Sequence, residues 1–389
     1  MKRSMVVRLG LRSLWCDRRQ VKVSTARLAA LICILALMVS CAGGQSTPQP
    51  TTKPATGQAA PAATSPATSA TPAAGAKDSS AATKQDKVDT VNVGVVSLTA
   101  SYWPYWVAEK KGFFAKENIK TEDTVTRSAP NAIQALVGGS LDVIGPSTNP
   151  TISAIEKGAN ITMVAGIMWD PAYQLIARPE IKKYSDLKGK TLAVSAVKGG
   201  DALILKRMLS TNGLKQGDYD VIMAGGTPER LAAIKSGGAV AAVLSQPADF
   251  EALAQGYNKL GVSSDVLKEY MFNVWVVRKD WAKTKEDVLV RWLRALDQAT
   301  HWLYDPKNKD EAIKIVMDIT KAKQDIAEKT YNLFLVELNG KVFAKDSSVG
   351  VDALKVVLSE MVDTGDLPAS PMPDPNKYVD LSYLKKAQK

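Results

Sequence analysis

Ser147-Thr148-Asn149-Pro150 carries the residue types best suited to chemistry in this chain. It follows Leu141–Ile144, a short apolar run long enough for a buried strand. Gly138-Gly139, just before that run, supplies the positive φ that stops a helix. Asn is a strong N-cap, and Pro at the first helical position has a pre-set φ and no N–H to waste. A helix is therefore predicted to start at Asn149, at the carboxyl end of a strand, where open α/β sheets bind ligands. The free first-turn amides of such a helix carry partial positive charge and suit an anion.

Three further stretches read the same way: Ser128-Ala129-Pro130, Gly199-Gly200-Asp201 and Gly225-Gly226-Thr227-Pro228. Ser128, Asn149 and Thr227 are expected N-caps. Asp201 is either a plain cap facing solvent or a carboxylate in a cleft, where it would welcome an ammonium or hydroxyl. Arg127 and Lys198 are expected as solvated surface. Catalytic and metal chemistry find little support. His301 is the only histidine, and no GxSxG accompanies it. The three cysteines, Cys16, Cys33 and Cys41, all lie in the first 41 residues, so no cysteine nucleophile or thiolate metal site is expected beyond them. No cofactor and no metal are expected.

The elements that position these stretches alternate strand and helix. Strands are predicted over Thr90–Thr99, Ile119–Thr126, Ile161–Ile167, Thr191–Ser195, Tyr219–Met223 and Ala239–Leu244, with apolar runs at Tyr173–Ala177 and Phe272–Val277 taken as crossings between two halves. Ala233–Pro247 repeats the pattern of the opening stretch: Ile234 aligns with Leu136, Gly237 with Gly139 and Ser245 with Ser147. Two similar α/β lobes with a cleft between them follow. Val288, Trp292, Leu296, Ala299 and Leu303 share one helical face, as do Val351, Leu354, Leu358 and Met361, and residues 380–386 read as a docking tail.

At 389 residues and 46% hydrophobic composition, the chain can hold two lobes with real cores. The net charge of +11 is concentrated at the start: residues 1–41 hold eight Lys/Arg and one acid, leaving +4 for the rest. No dense basic cluster with interleaved aromatics remains, so nucleic acid is not an expected partner. Leu28–Ser40 is a 13-residue apolar run behind a basic segment, right for a signal-peptide core and short for a bilayer span. It ends in Ser40-Cys41, which resembles a bacterial lipoprotein cleavage site, with Met38 where Leu is usual. Residues 42–87 are Ala, Pro, Thr, Ser, Gly and Gln with almost no large apolar residue, a composition that cannot offset ordering entropy. They are expected to form a tether reaching on the order of 40 Å.

Tyr105–Asn118 (YWVAEKKGFFAKEN), Ala135–Val143 (ALVGGSLDV), Asp186–Val194 (DLKGKTLAV) and Ile234–Val243, taken together, resemble the solute-binding proteins of ABC importers, in the branch handling nitrate, sulfonates, taurine and thiamine-pyrimidine precursors. The resemblance covers about residues 90–389. It implies an α/β, two-lobed type II periplasmic binding protein fold, each lobe a mainly parallel sheet with flanking helices, joined by two crossing strands. The expected boundaries are 1–41 for the signal peptide with lipidated Cys41, 42–87 for the tether, 88–177 and 271–389 for lobe one, and 178–270 for lobe two.

The resemblance further implies ligand contacts from loops at strand carboxyl ends: Ser101, Tyr102, Trp103, Ser128, Ser147, Thr148, Asn149, Trp169, Gly200, Asp201 and Gln246. The implied partners are a small-molecule ligand, an ABC permease with its ATPase, and the membrane through the lipid anchor. The protein is expected to be an exported monomer without catalysis. A sulfonate, taurine or nitrate is the first ligand expectation, and a thiamine-precursor pyrimidine or aromatic carboxylate the second. The competing classes are a pyrimidine-synthesising enzyme of the same superfamily, which needs an early histidine this chain lacks, and a sensing receptor domain, for which no output segment is read.

Overall fold

The computed structural model describes residues 87–389. The expected signal peptide, the lipidated Cys41 and, apart from Lys87, the tether lie outside them. Ten strands run in chain order as β1 (Asp89–Val95), β2 (Ile119–Val125), β3 (Val143–Gly145), β4 (Ile161–Met168), β5 (Gln174–Ala177), β6 (Thr191–Val194), β7 (Asp220–Met223), β8 (Ala241–Leu244), β9 (Asn258–Val262) and β10 (Asn273–Arg278). They form two five-stranded sheets, in the orders β2-β1-β3-β10-β4 and β7-β6-β8-β5-β9.

The two orders are one topology used twice. β1 pairs in parallel with β2 and β3, as β6 does with β7 and β8. β10 enters the first sheet antiparallel to β3 and β4, as β5 enters the second antiparallel to β8 and β9. The sequence repeat is thus a structural repeat. Gly139 (φ 79°) and Gly237 (φ 83°) both stop the helix ahead of β3 and β8 in the left-handed region, which glycine enters without a Cβ penalty.

One expectation fails in detail. Tyr173–Ala177 and Phe272–Val277 were expected as the crossings, with lobe one running to residue 177. Instead β5 lies fully inside the second sheet and β10 inside the first. The chain passes between lobes at Trp169–Tyr173 and again just before Asn273. The reason is backbone satisfaction: an apolar run buried on both faces has partners for its N–H and C=O groups only within a sheet.

The first lobe's core is aromatic. Trp106, Tyr105, Phe114, Trp275 and Trp292 are all buried and touch ring to ring, the Trp275 and Trp292 centroids 5.0 Å apart in a T-shaped pair. Trp292 comes from the Glu286–Tyr304 helix, whose predicted apolar face is buried throughout. The C-terminal tail docks beside β4: Val379 bridges Met163, and the Asp380 N–H donates to the Met163 carbonyl at 2.8 Å. Among the described residues no helix is long and apolar enough to cross a membrane.

Candidate functional site

The carboxyl ends of β1, β3, β6 and β8, with helices that follow them and β2 and β7, face one another across a cavity of about 50 Å³, room for a few waters. Lobe one contributes Val96, Ser97, Thr99, Ser101, Tyr102, Ala129 and Ser147. Lobe two contributes Ser195, Gly200, Asp201, Gly226, Thr227, Arg230 and Ser245. Tyr173, Phe272 and Asn273, at or beside the crossings, complete the wall. Nine of its seventeen lining residues carry a hydroxyl, so neutral donors and acceptors can meet most hydrogen-bonding needs of a solute.

Four helices begin at this cavity. Ser128 caps the Ala129–Val137 helix, its Oγ accepting from Asn131 N–H at 3.3 Å, and Ala129 of its first turn lines the wall. Ser147 and Gly226, the N-caps of the Thr148–Glu156 and Thr227–Ser236 helices, and Gly200, the first residue of the Gly200–Thr211 helix, also line the wall, without a side-chain cap bond of their own. The local sequence dictates these starts, because Ser, Gly and Pro supply extended caps and a proline-tolerant first turn.

The charge in the site is a buried pair. The Arg230 guanidinium, 4% exposed, donates from Nε to the Val243 carbonyl (3.1 Å), from Nη1 to Gly225 O (2.8 Å) and from Nη2 to Thr227 Oγ1 (3.1 Å). Its Nη1 lies 3.4 Å from the Asp201 carboxylate. Asp201 accepts from the Ser195 backbone N–H at 2.7 Å and from the Ser195 hydroxyl. A guanidinium has five N–H groups; three are hydrogen-bonded to the protein, and Arg230 also lines the cavity. Tyr173, its hydroxyl 2.9 Å from Ser101 Oγ, is pushed up to about 12 by burial and stays neutral.

Of the eleven expected ligand residues, the cavity brings together Ser101, Tyr102, Ser147, Gly200 and Asp201. Asp201 is buried rather than a solvent-facing cap. Ser128 acts behind the wall as a cap. The others point elsewhere. Trp103 is wholly buried in lobe one, its indole N–H on the Ala312 carbonyl (3.1 Å) and its ring edge-on to Tyr331. Thr148 donates to the Phe272 carbonyl (3.1 Å). Trp169 donates to Ser348 O (3.3 Å) and packs on Gly350.

Asn149 is not the cap. The cap is Ser147, two residues earlier, and Asn149 accepts from the Tyr270 hydroxyl at 2.7 Å. Pro150 is tolerated at the third helical position because that N–H also has no helical partner. Likewise Gly226, not Thr227, is the cap of its helix.

Gln246 is buried behind the wall, donating to Ala172 O and to Asp249, both at 2.7 Å. Its backbone carbonyl accepts from Ala100 N–H of the other lobe at 3.1 Å. His301 is exposed and bonds the Asp297 carbonyl of its own helix. Among the described residues no group of three or more His, Cys, Asp or Glu is placed to hold a metal.

Arg230, Ser97, Ser195 and Ser245 were not among the ligand contacts expected from the sequence. One signal for Arg230 was present: a cation in the first turn of a helix is disfavoured by the dipole and must be held by a carboxylate or carbonyls.

Asp249 adds a pH dependence. Burial drives its carboxyl up to about 8 against an ordinary 3.8. The folded state then holds a proton that the unfolded chain releases over this range. Its contribution is full at low pH and is lost as pH rises from 3.8 to about 8. Thermal melts are expected to show wild type losing stability relative to Asp249→Asn across that window; a constant difference would contradict the burial argument.

A family model described as the NMT1-like family matches residues 84–317. The Bacillus subtilis protein YtlA is 25% identical over 254 residues, which cover 62% of this chain and 75% of that protein. Among solved structures, the periplasmic nitrate-binding protein NrtA of Synechocystis PCC 6803 superposes with a TM-score of 0.66 at 16% identity, covering 78% of this chain and 88% of the other. The alkanesulfonate-binding protein SsuA of Xanthomonas axonopodis pv. citri, bound to MOPS, gives 0.60 at 17% identity, covering 77% and 98%. At these identities the two structures establish a shared fold, that of periplasmic binding proteins.

Proposed function

The chain belongs to the NMT1-like family, and from that premise we propose that it is the extracytoplasmic solute-binding component of an ABC importer. It captures a small anion of the sulfonate, taurine or nitrate class between its lobes, does no chemistry on it, and delivers it to a permease and its ATPase. The observation that carries this reading is the convergence of four helix N-termini and Arg230 on one interlobe cavity. Each terminus favours a nearby negative charge by about 0.3–1 kcal/mol, and up to about 2 where partly buried. Asp201 opposes this, so the free positive character comes mainly from backbone dipoles. The matched solved structures bind nitrate and an alkanesulfonate, which agrees with that chemistry.

Asp201 also favours a second reading, a zwitterion whose ammonium it meets while the helix ends hold the anionic group. A thermal-shift screen of nitrate, methanesulfonate, taurine, benzoate and a thiamine-precursor pyrimidine separates these. A saturable rise is expected with an anion, about 2.7 kcal/mol of added stability at a hundredfold excess over Kd. A rise with the uncharged pyrimidine alone would reject the anion reading.

The apolar run ending in Ser40-Cys41 and the tether composition of residues 42–87 support anchoring at the membrane, facing outward. Fractionation of Cys41→Ser is expected to show released or unprocessed protein. Mature protein still in the membrane would reject the anchor.

A further inference from the structure

The two helices that lobe two aims at the cavity both begin with paired glycines, Gly199-Gly200 and Gly225-Gly226. Gly200 and Gly226 have no positive φ, so their own backbone does not require glycine. What requires it is the opposite lobe. A Cβ on Gly200 would meet Ser147 Cβ at 2.5 Å, its Oγ at 2.6 Å and Phe272 Cε2 at 2.9 Å. A Cβ on Gly226 would meet Ser97 Oγ at 2.9 Å and Cβ at 3.2 Å, the remaining contact being the flexible end of Glu229. Ser97 also does a job Gly226 cannot do: as a cap with no side chain, Gly226 leaves the first-turn amides uncapped, and Ser97 Oγ accepts from Thr227 N–H at 3.2 Å across the cleft.

We infer that Gly200 and Gly226 are sockets that receive Ser147 and Ser97 when the lobes come together, so that lobe one caps a lobe-two helix only in the closed molecule. Glycine at these positions then serves closure rather than folding, and all four are positioning residues for solute capture. The inference rests on the interlobe solute site proposed above.

Positions 120 and 215 are exposed, lie in different lobes, and the chain has no cysteine beyond Cys41. Lys120→Cys and Lys215→Cys therefore allow spin labels to report the interlobe distance, in a background where Cys16, Cys33 and Cys41 are changed to serine. The distribution is measured without added solute and with nitrate or taurine. Wild type is expected to show a closed population that Gly226→Ala and Gly200→Ala each reduce about tenfold or more, the scale of overpacking a tight contact.

Gly200→Ala should meanwhile keep or raise the melting temperature, since alanine is the better helix residue and restricts the unfolded chain. Ser97→Gly in the Gly226→Ala background removes the clashing atoms and should restore closure. An undiminished closed population in either glycine variant, no rescue by Ser97→Gly, or a wild type that closes under neither condition each overturns the sockets. If closure responds to the glycines while neither probe changes any melting temperature, the sockets stand and the proposed anion class falls.

Discussion

Arg230→Met should abolish solute binding and destabilise lobe two. The guanidinium is 4% exposed and holds Gly225 O, Val243 O, Thr227 and the Asp201 carboxylate at once. Removing one partner of a buried pair leaves the other charge uncompensated, which costs about 3–5 kcal/mol. Binding should fall by about a hundredfold or more, because the solute loses a charge-assisted donor and meets a bare carboxylate in the same wall. Arg230→Met with Asp201→Asn should recover most of the stability and little of the affinity. Urea melts and calorimetry with the anion selected by the screen read both quantities, and the double-mutant cycle isolates their coupling. A single variant as stable as wild type would show that the pair is not the internal tie described here.

The second large effect is expected far from the cavity. Trp275 lies on β10, its ring 5.0 Å from Trp292, 5.3 Å from Tyr105 and 6.0 Å from Tyr102, centroid to centroid. It is 1% exposed and joins a strand, two helices and a tyrosine of the cavity wall. Trp275→Ala should cost about 3–5 kcal/mol, the range for truncating a buried tryptophan to alanine. Near-ultraviolet dichroism should lose its tryptophan signal together with the shift in urea midpoint. A loss under about 1 kcal/mol would mean that the neighbouring rings close over the void.

What could be read from sequence was whatever local chemistry decides. Ser128 as a cap, Gly139 and Gly237 as helix stops, and the apolar face from Val288 to Leu303 depend on residues within a turn or two of each other. The repeat was legible for the same reason, being built from those signals. What was not legible depends on which way a side chain points after the lobes assemble. Trp103 and Tyr102 are neighbours, yet one fills lobe one's core and the other walls the cavity. Asn149 and Ser147 differ by two positions, and the cap falls on Ser147, two residues ahead of the expected one, which turns Asn149 toward Tyr270. Arg230 sits in a stretch that also reads as an ordinary solvated helix start, and only the carboxylate brought in from the next-door helix makes it a cavity residue.

The different ways in which the two sheets take in their antiparallel strands bear on how the chain acquires its structure. The second sheet, β5 to β9, is drawn from one continuous stretch of chain, so its loops close early and at modest entropic cost. The first sheet is interrupted: β10 must slot between β3 and β4 after the whole of lobe two has gone by, pairing Val276 with Ile144 on one side and Met163 on the other. Until then β3 and β4 each present a bare apolar edge, the kind that sticks to other chains. A chain that emerges amino end first thus completes its insertion before its host, and the interval in which it needs protection from aggregation ends with the arrival of residues 273–278.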